Sequence, residues 1–106
     1  MPRWLPRALR RLRALARAGR LRYTHKAMEE IAGLGLTRDD VREIVAGLRP
    51  GDAPTRVRSV RSGEWLYEFR PVASGVALYL KVLLRADALV VSCHEDQGPE
   101  VPSDAA

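Results

Sequence analysis

The chain has a single cysteine and only two histidines among its 106 residues. A structural zinc site takes four such ligands, so no metal centre is expected. No apolar run approaches the roughly 18 to 20 residues that span a bilayer, and no apolar segment precedes a small-residue cleavage site. These absences make a cytoplasmic protein with no membrane partner the expectation. Acidic residues are missing from the first 28 positions, where Arg3, Arg7, Arg10, Arg11, Arg13, Arg17, Arg20 and Arg22 all precede Glu29. Serine is missing there too, which sets the segment apart from an organelle-targeting presequence. No internal repeat is present.

What remains is an ordinary globular composition, 46% hydrophobic and 29% charged, with a net charge of +5 and a pI near 10.1. Charge gathered at one end favours a polyanion such as nucleic acid, or an acidic protein partner. The alternative is a solvated helix face. The length fits one domain, expected over residues 1–96. A disordered tail is expected over 97–106, where Gly98, Pro99 and Pro102 interrupt any apolar period.

Three helices are predicted first. Between Arg7 and Ala18, Leu9, Leu12 and Ala16, with Leu5 and Ala8 ahead of them, recur at helical spacing among arginines, and Gly19 ends the run. Leu21 to Tyr23 reads as a short extended link. Thr24 then caps a second helix that turns Ala27, Met28 and Ile31 inward, with His25 in its first turn as a surface residue. Thr37 with Asp40 forms an acidic capping box for a third helix carrying Val41, Ile44, Val45 and Leu48, stopped by Pro50-Gly51.

From Arg56 the period changes to two. Arg56, Arg58 and Val60 point one way, before a turn at Ser62-Gly63. In the next strand Trp65, Tyr67 and Phe69 share one face, read as core, and Leu66, Glu68 and Arg70 share the other. The centre of the chain is a hairpin, Val76 to Leu84 and Ala88 to Cys93, turned by Arg85-Ala86-Asp87. Alternation puts Val76, Leu78, Leu80, Val82 and Leu84 on the core face, and Ala77, Tyr79, Lys81 and Leu83 on the other. Cys93 reads as a buried structural thiol, followed by His94, Glu95 and Asp96. Helices followed by hairpin-linked strands predict an α+β fold, N-terminal helices packed on an antiparallel β-sheet.

The order of Leu12 to Gly19, Thr24 to Ala32, Leu34-Gly35-Leu36, Ile44 to Leu48, Trp65, Phe69-Arg70-Pro71, Gly75, Tyr79-Leu80-Lys81 and Val90 to Asp96 resembles the MqsR family of toxins from bacterial type II toxin–antitoxin systems. The resemblance covers roughly residues 7 to 96. It implies a RelE-like fold, a metal-independent endoribonuclease that cuts messenger RNA, no cofactor, and a cognate antitoxin as partner. Arg70 falls on the arginine of the family's aromatic-arginine-proline motif and Tyr79 on its active-site tyrosine. His94 falls where an active-site lysine stands in an enterobacterial member. Leu66 replaces a glutamine, and an expected lysine after the third helix has Thr55 and Arg56 as nearest matches. These departures bear on base preference and rate rather than on reaction type.

The residues themselves suit that chemistry. Cutting RNA without a metal needs a base for the ribose 2′-hydroxyl, a cation for the phosphorane and an acid for the departing 5′-oxygen. Imidazole is the side chain suited to proton transfer near neutral pH, so His94 is the candidate there. Arg70 offers a fork of donors to phosphate oxygens. Tyr79 is placed to hydrogen-bond the phosphate or stack on a base, Lys81 adds charge, and Arg56 and Arg58 are candidates to guide the RNA backbone. The products would be a 2′,3′-cyclic phosphate and a 5′-hydroxyl. The competing readings are a non-catalytic nucleic-acid-binding module and an interaction protein whose arginine helix docks an acidic partner.

Overall fold

A computed structural model describes residues 1–98. The arginine-rich segment forms α1, Leu5–Arg17, whose Leu5, Ala8, Leu9, Leu12, Leu15 and Ala16 are buried. This is the apolar stripe that the spacing predicts, widened by Leu15. Gly19, at φ +72, supplies the left-handed residue that ends it. In α2, His25–Gly33, the Thr24 hydroxyl accepts from the Ala27 amide. Ala27 and Ile31 lie on one buried line, and Met28, a hundred degrees round from Ala27, is exposed instead of buried. In α3, Arg38–Ala46, the predicted capping box is complete: Thr37 Oγ1 accepts from Asp40 N at 3.1 Å, and Asp40 Oδ2 accepts from Thr37 N at 2.8 Å.

Arginines fasten α1 to α3. Arg13 donates from Nε to the Leu48 carbonyl at 2.7 Å, and Arg42 from Nε to the Ala16 carbonyl at 2.9 Å. Each guanidinium thus meets carbonyls at or just past the C-terminus of the other helix, where both hydrogen-bond donors and positive charge are favourable. Arg11 reaches the Arg85 carbonyl, and Arg20 pairs with Asp87 at 2.7 Å. Part of the basic segment is therefore structural.

The strands are β1 (Leu21–Tyr23), β2 (Thr55–Arg58), β3 (Trp65–Phe69), β4 (Val72–Ala73), β5 (Val76–Leu84) and β6 (Ala88–Glu95). They form one sheet in the order β1-β6-β5-β3-β2, with β4 on β5. All pairs are antiparallel except β1, which runs parallel to β6 from Leu21↔Ala88 to Tyr23↔Val90. The sheet is mixed, a correction to the all-antiparallel expectation. Leu21 and Tyr23 are partly buried around an exposed Arg22, so the expected link has enough alternation to pair with an available edge. Ser74 and Gly75 both take positive φ, 52° and 79°, in the two-residue turn that folds β4 onto β5.

One face of the sheet carries Phe69, Leu80, Val82, Val90 and Cys93, and these join the buried helix residues in a single core. A β-bulge sets which residues of β6 belong to it. Leu80 pairs with Cys93 and Lys81 with Ser92, but Val82 pairs with Val90, so Val91 has no opposite residue. Strict alternation would put Val90, Ser92 and His94 on one face. The extra residue reverses the parity, leaving Val90 and Cys93 in the core and turning Ser92 and His94 to the other face. The β5 pattern is also less regular than expected. Leu78, Leu80 and Val82 are buried, but Val76 is exposed and Leu83 is buried on the opposite face, between its register partners Leu66 and Leu89.

Helix α2 closes the edge of β6 beyond the reach of β1. The Thr24 hydroxyl donates to the Val91 carbonyl at 3.2 Å, and Glu30 Oε1 accepts from the Cys93 amide at 3.0 Å. Backbone groups that would face an open edge are thereby satisfied. Residues 99–106, most of the tail expected over 97–106, lie outside the described residues.

Candidate active site

The face of the sheet away from the core holds an open depression of about 430 Å³. Register explains its lining. Glu68 of β3 lies opposite Lys81 of β5, and Lys81 opposite Ser92 of β6. One step along the same face, Tyr79 lies opposite His94. Arg70 follows β3, held extended by the proline after it, with its amide bonded to the Asp52 carbonyl at 2.7 Å. Asp96 follows β6, with its amide bonded to the Ala77 carbonyl at 2.8 Å.

The side chains form two ionic groups around Tyr79. Arg70 Nη1 meets Asp96 Oδ1 at 2.5 Å, and the Arg70 guanidinium lies 5.1 Å from the centre of the Tyr79 ring. Tyr79 Oη donates to Glu68 Oε2 at 2.6 Å, and Lys81 Nζ stands 3.8 Å from the same oxygen. The His94 ring stacks on Tyr79, centroids 5.1 Å apart and planes 28° apart. From α2, Lys26 bonds both Ser92 Oγ at 3.0 Å and Glu30 Oε2 at 2.9 Å. Burial alone would raise the Glu30 carboxyl, but the Lys26 hydrogen bond, the Cys93 amide and the nearby charges of Lys26 and His94 outweigh it and hold the group below the usual carboxylate range. Burial, then the charge of Glu30, pushes the Cys93 thiol up to about 11. That thiol is a packing group, not a nucleophile.

Arg70, Tyr79, Lys81 and His94 therefore come together as the sequence predicts. Arg56 and Arg58 do not join them. Their register partners are Tyr67 and Trp65, so they lie on the helix side of the sheet. Arg56 stacks 3.8 Å from the Trp65 ring centre and 5.3 Å from that of Trp4, and Arg58 lies 4.2 Å from Trp65. Thr55, the register partner of Glu68, lies on the open face, where its hydroxyl donates to Glu68 Oε1 at 2.9 Å. His25 is solvent-exposed beside Glu29, 3.4 Å away.

Sequence reasoning did not single out Glu68, Lys26, Ser92 or Asp96 as site residues. Alternation places Glu68 on the correct face, between Leu66 and Arg70, but neither its side-chain type nor the family resemblance points to it. Ser92 needed the bulge, and Lys26 needed the packing of α2 on β6. Neither has a local sequence signal. Among the described residues, no group of three or more His, Cys, Asp or Glu is placed to hold a metal ion, and no helix is long and apolar enough to cross a membrane.

Fold and site define a small α+β protein with a polar, cation-lined depression on the uncovered face of a mixed sheet. Compared with known families, residues 6–95 match the one described as motility quorum-sensing regulator, toxin of MqsA, and the chain belongs to that family. The α+β arrangement agrees with the RelE-like architecture that the resemblance implies. No curated protein matches the chain.

Proposed function

We propose that the protein is the toxin of a type II toxin–antitoxin pair and acts as a metal-independent endoribonuclease on messenger RNA, in the cytoplasm, until a cognate antitoxin sequesters it. The observation that carries this reading is the convergence of Arg70, Tyr79, Lys81 and His94 on one open face, with Tyr79 and His94 stacked at 5.1 Å. Arg70 binds the non-bridging oxygens of the scissile phosphate and exchanges Asp96 for it. Lys81 adds charge beside the phosphorane, Tyr79 donates to the phosphate or stacks on a base, and His94 transfers a proton. The 2′-oxygen attacks phosphorus and the 5′-oxygen leaves, giving a 2′,3′-cyclic phosphate and a 5′-hydroxyl.

Arg56 and Arg58 contribute outside the depression. No carboxylate lies within 4 Å of either among the described residues. Their charge is available to an RNA strand that passes over the β2 edge, while their stacking on tryptophan keeps them oriented. The basic end of the chain supports both an RNA and an acidic antitoxin as partners.

The decisive experiment incubates purified protein with short synthetic RNAs in excess EDTA, alongside His94→Ala, and identifies the fragment ends. Cleavage with cyclic-phosphate ends, lost by about 10²-fold or more in the variant, is the expected result. RNA binding without cleavage by the wild type would replace the enzyme with a binding module.

A further inference from the structure

The proposed reaction needs two proton-transfer groups, and two carboxylates line the depression: Asp96, paired with Arg70 at 2.5 Å, and Glu68, from which Lys81 Nζ stands 3.8 Å away. The less closely neutralised charge is the one that repels a bound phosphate more, so the presence of Glu68 there calls for a role. Both of its oxygens face hydroxyl donors: Thr55 Oγ1 donates to Oε1 at 2.9 Å and Tyr79 Oη to Oε2 at 2.6 Å. A carboxylic acid proton would have to compete with one of those donors, so the group is built as an acceptor, with lone pairs left over for a further proton. The side chain is 17% exposed, which restricts rival solvent while leaving access from the depression.

His94 has the complementary arrangement. Its Nδ1 lies 2.9 Å from the Glu95 carbonyl oxygen, which only accepts, so Nδ1 carries a hydrogen and Nε2 is the nitrogen left for substrate. The two groups flank one tyrosine, Glu68 at its hydroxyl and His94 on its ring. Arg70 and Lys81 also stand within 5.1 and 5.8 Å of that ring's centre. One phosphodiester bound over Tyr79 would have an acceptor on one side, a proton donor on the other and cations beside it.

We infer that Glu68 is the general base and His94 the general acid of the cleavage, an assignment that rests on the ribonuclease reading above. Glu68 takes the 2′-hydroxyl proton as the bond from the 2′-oxygen to phosphorus forms. The bond from phosphorus to the 5′-oxygen then breaks, and that oxygen takes its proton from the protonated His94 ring. Solvent returns both groups to their starting states.

The test compares an RNA dinucleotide with a nucleoside 3′-(4-nitrophenyl phosphate), whose leaving group departs without a proton, for wild type, Glu68→Gln and His94→Ala. Glu68→Gln should slow both substrates by about 10²- to 10⁴-fold and flatten the acid limb of the kcat/KM profile. His94→Ala should slow the dinucleotide comparably, yet the aryl ester by less than about tenfold. Glu68→Asp keeps a carboxylate, so it should keep the acid limb at a reduced rate, which a loss of folding or of Tyr79 positioning would not reproduce. Cleavage of both substrates by Glu68→Gln at near wild-type rate would overturn the assignment, and so would rescue of Glu68→Gln, rather than His94→Ala, by the aryl ester. A wild type inert on both substrates would instead sink the ribonuclease reading and this assignment with it.

Discussion

The two faces of the sheet are made from the same strands, residue by residue in alternation, yet they do opposite things. On the helix side Phe69, Leu80, Val82, Val90 and Cys93 are at most 1% exposed. On the other, their immediate neighbours Glu68, Arg70, Tyr79, Lys81, Ser92 and His94 line an open depression. A pleated strand gives this segregation without extra machinery, because its side-chain period is two. It also makes the division fragile, because a slip of one residue exchanges the faces. In β6 the chain adds one residue, Val91, and the exchange happens by design at that point.

Deleting Val91 together with Ser92 attacks the comparison most directly. The shortened strand either keeps Val90 in the core and drives the His94 side chain in after it, or keeps His94 out and displaces Ala88 and Val90. Burying an unpaired polar group costs on the order of 2–7 kcal/mol, against a total stability of about 5–15 kcal/mol for a domain. The cooperative unfolding transition should be lost in urea melts, whereas deleting Val91 alone, which leaves Val90 and Ser92 on opposite faces without a bulge, should retain it. A double deletion that unfolds normally and keeps His94 at the site would show that alternation along β6 does not divide the faces.

Next in size is the pair Phe69→Ala and Arg70→Ala, adjacent residues on opposite faces. Removing the fully buried ring should cost about 3–5 kcal/mol in denaturant unfolding. Removing the guanidinium, whose pair with Asp96 is a third exposed on the arginine side, should cost about 1 kcal/mol or less while abolishing RNA cleavage. If Arg70→Ala unfolds as readily as Phe69→Ala, the open face is a structural element rather than a site.

The covered face was the easier to read from sequence. Amphipathic spacing in α1, the Thr37/Asp40 box and the alternation through Leu78, Leu80 and Val82 are local signals, and local signals persist when the chain folds. The parallel pairing of β1 was illegible because three residues, Leu21 to Tyr23, carry too little pattern to name a partner 67 positions away. On the open face Arg70, Tyr79, Lys81 and His94 were found by side-chain chemistry and resemblance together. Glu68 was not singled out, because neither the resemblance nor the expected phosphate contacts pointed to a carboxylate on that face. Arg56 and Arg58 were assigned to the RNA on charge, and their register with Tyr67 and Trp65 put them on the other side of the sheet.

Glu30 stands at the seam between the two faces and gives the smallest and most specific prediction. One oxygen accepts from the amide of Cys93, a core residue, and the other from Lys26, which reaches the depression. Because its carboxyl is held below the ordinary value in the folded chain, the unfolded chain binds more protons in acid. Its contribution to stability is therefore present above the unfolded pKa and is lost as pH falls through the lower folded one. Urea midpoints measured from pH 6 down to pH 3 should fall less steeply in Glu30→Gln than in the wild type, with the two curves converging at the acid end. The Cys93 thiol, pushed up to about 11, should meanwhile resist alkylation in the native state at pH 8 in both proteins. Parallel urea curves would remove Glu30 from the seam. Rapid thiol labelling in the variant alone would instead mean that the Glu30 carboxylate is what keeps the β6 edge closed over the core.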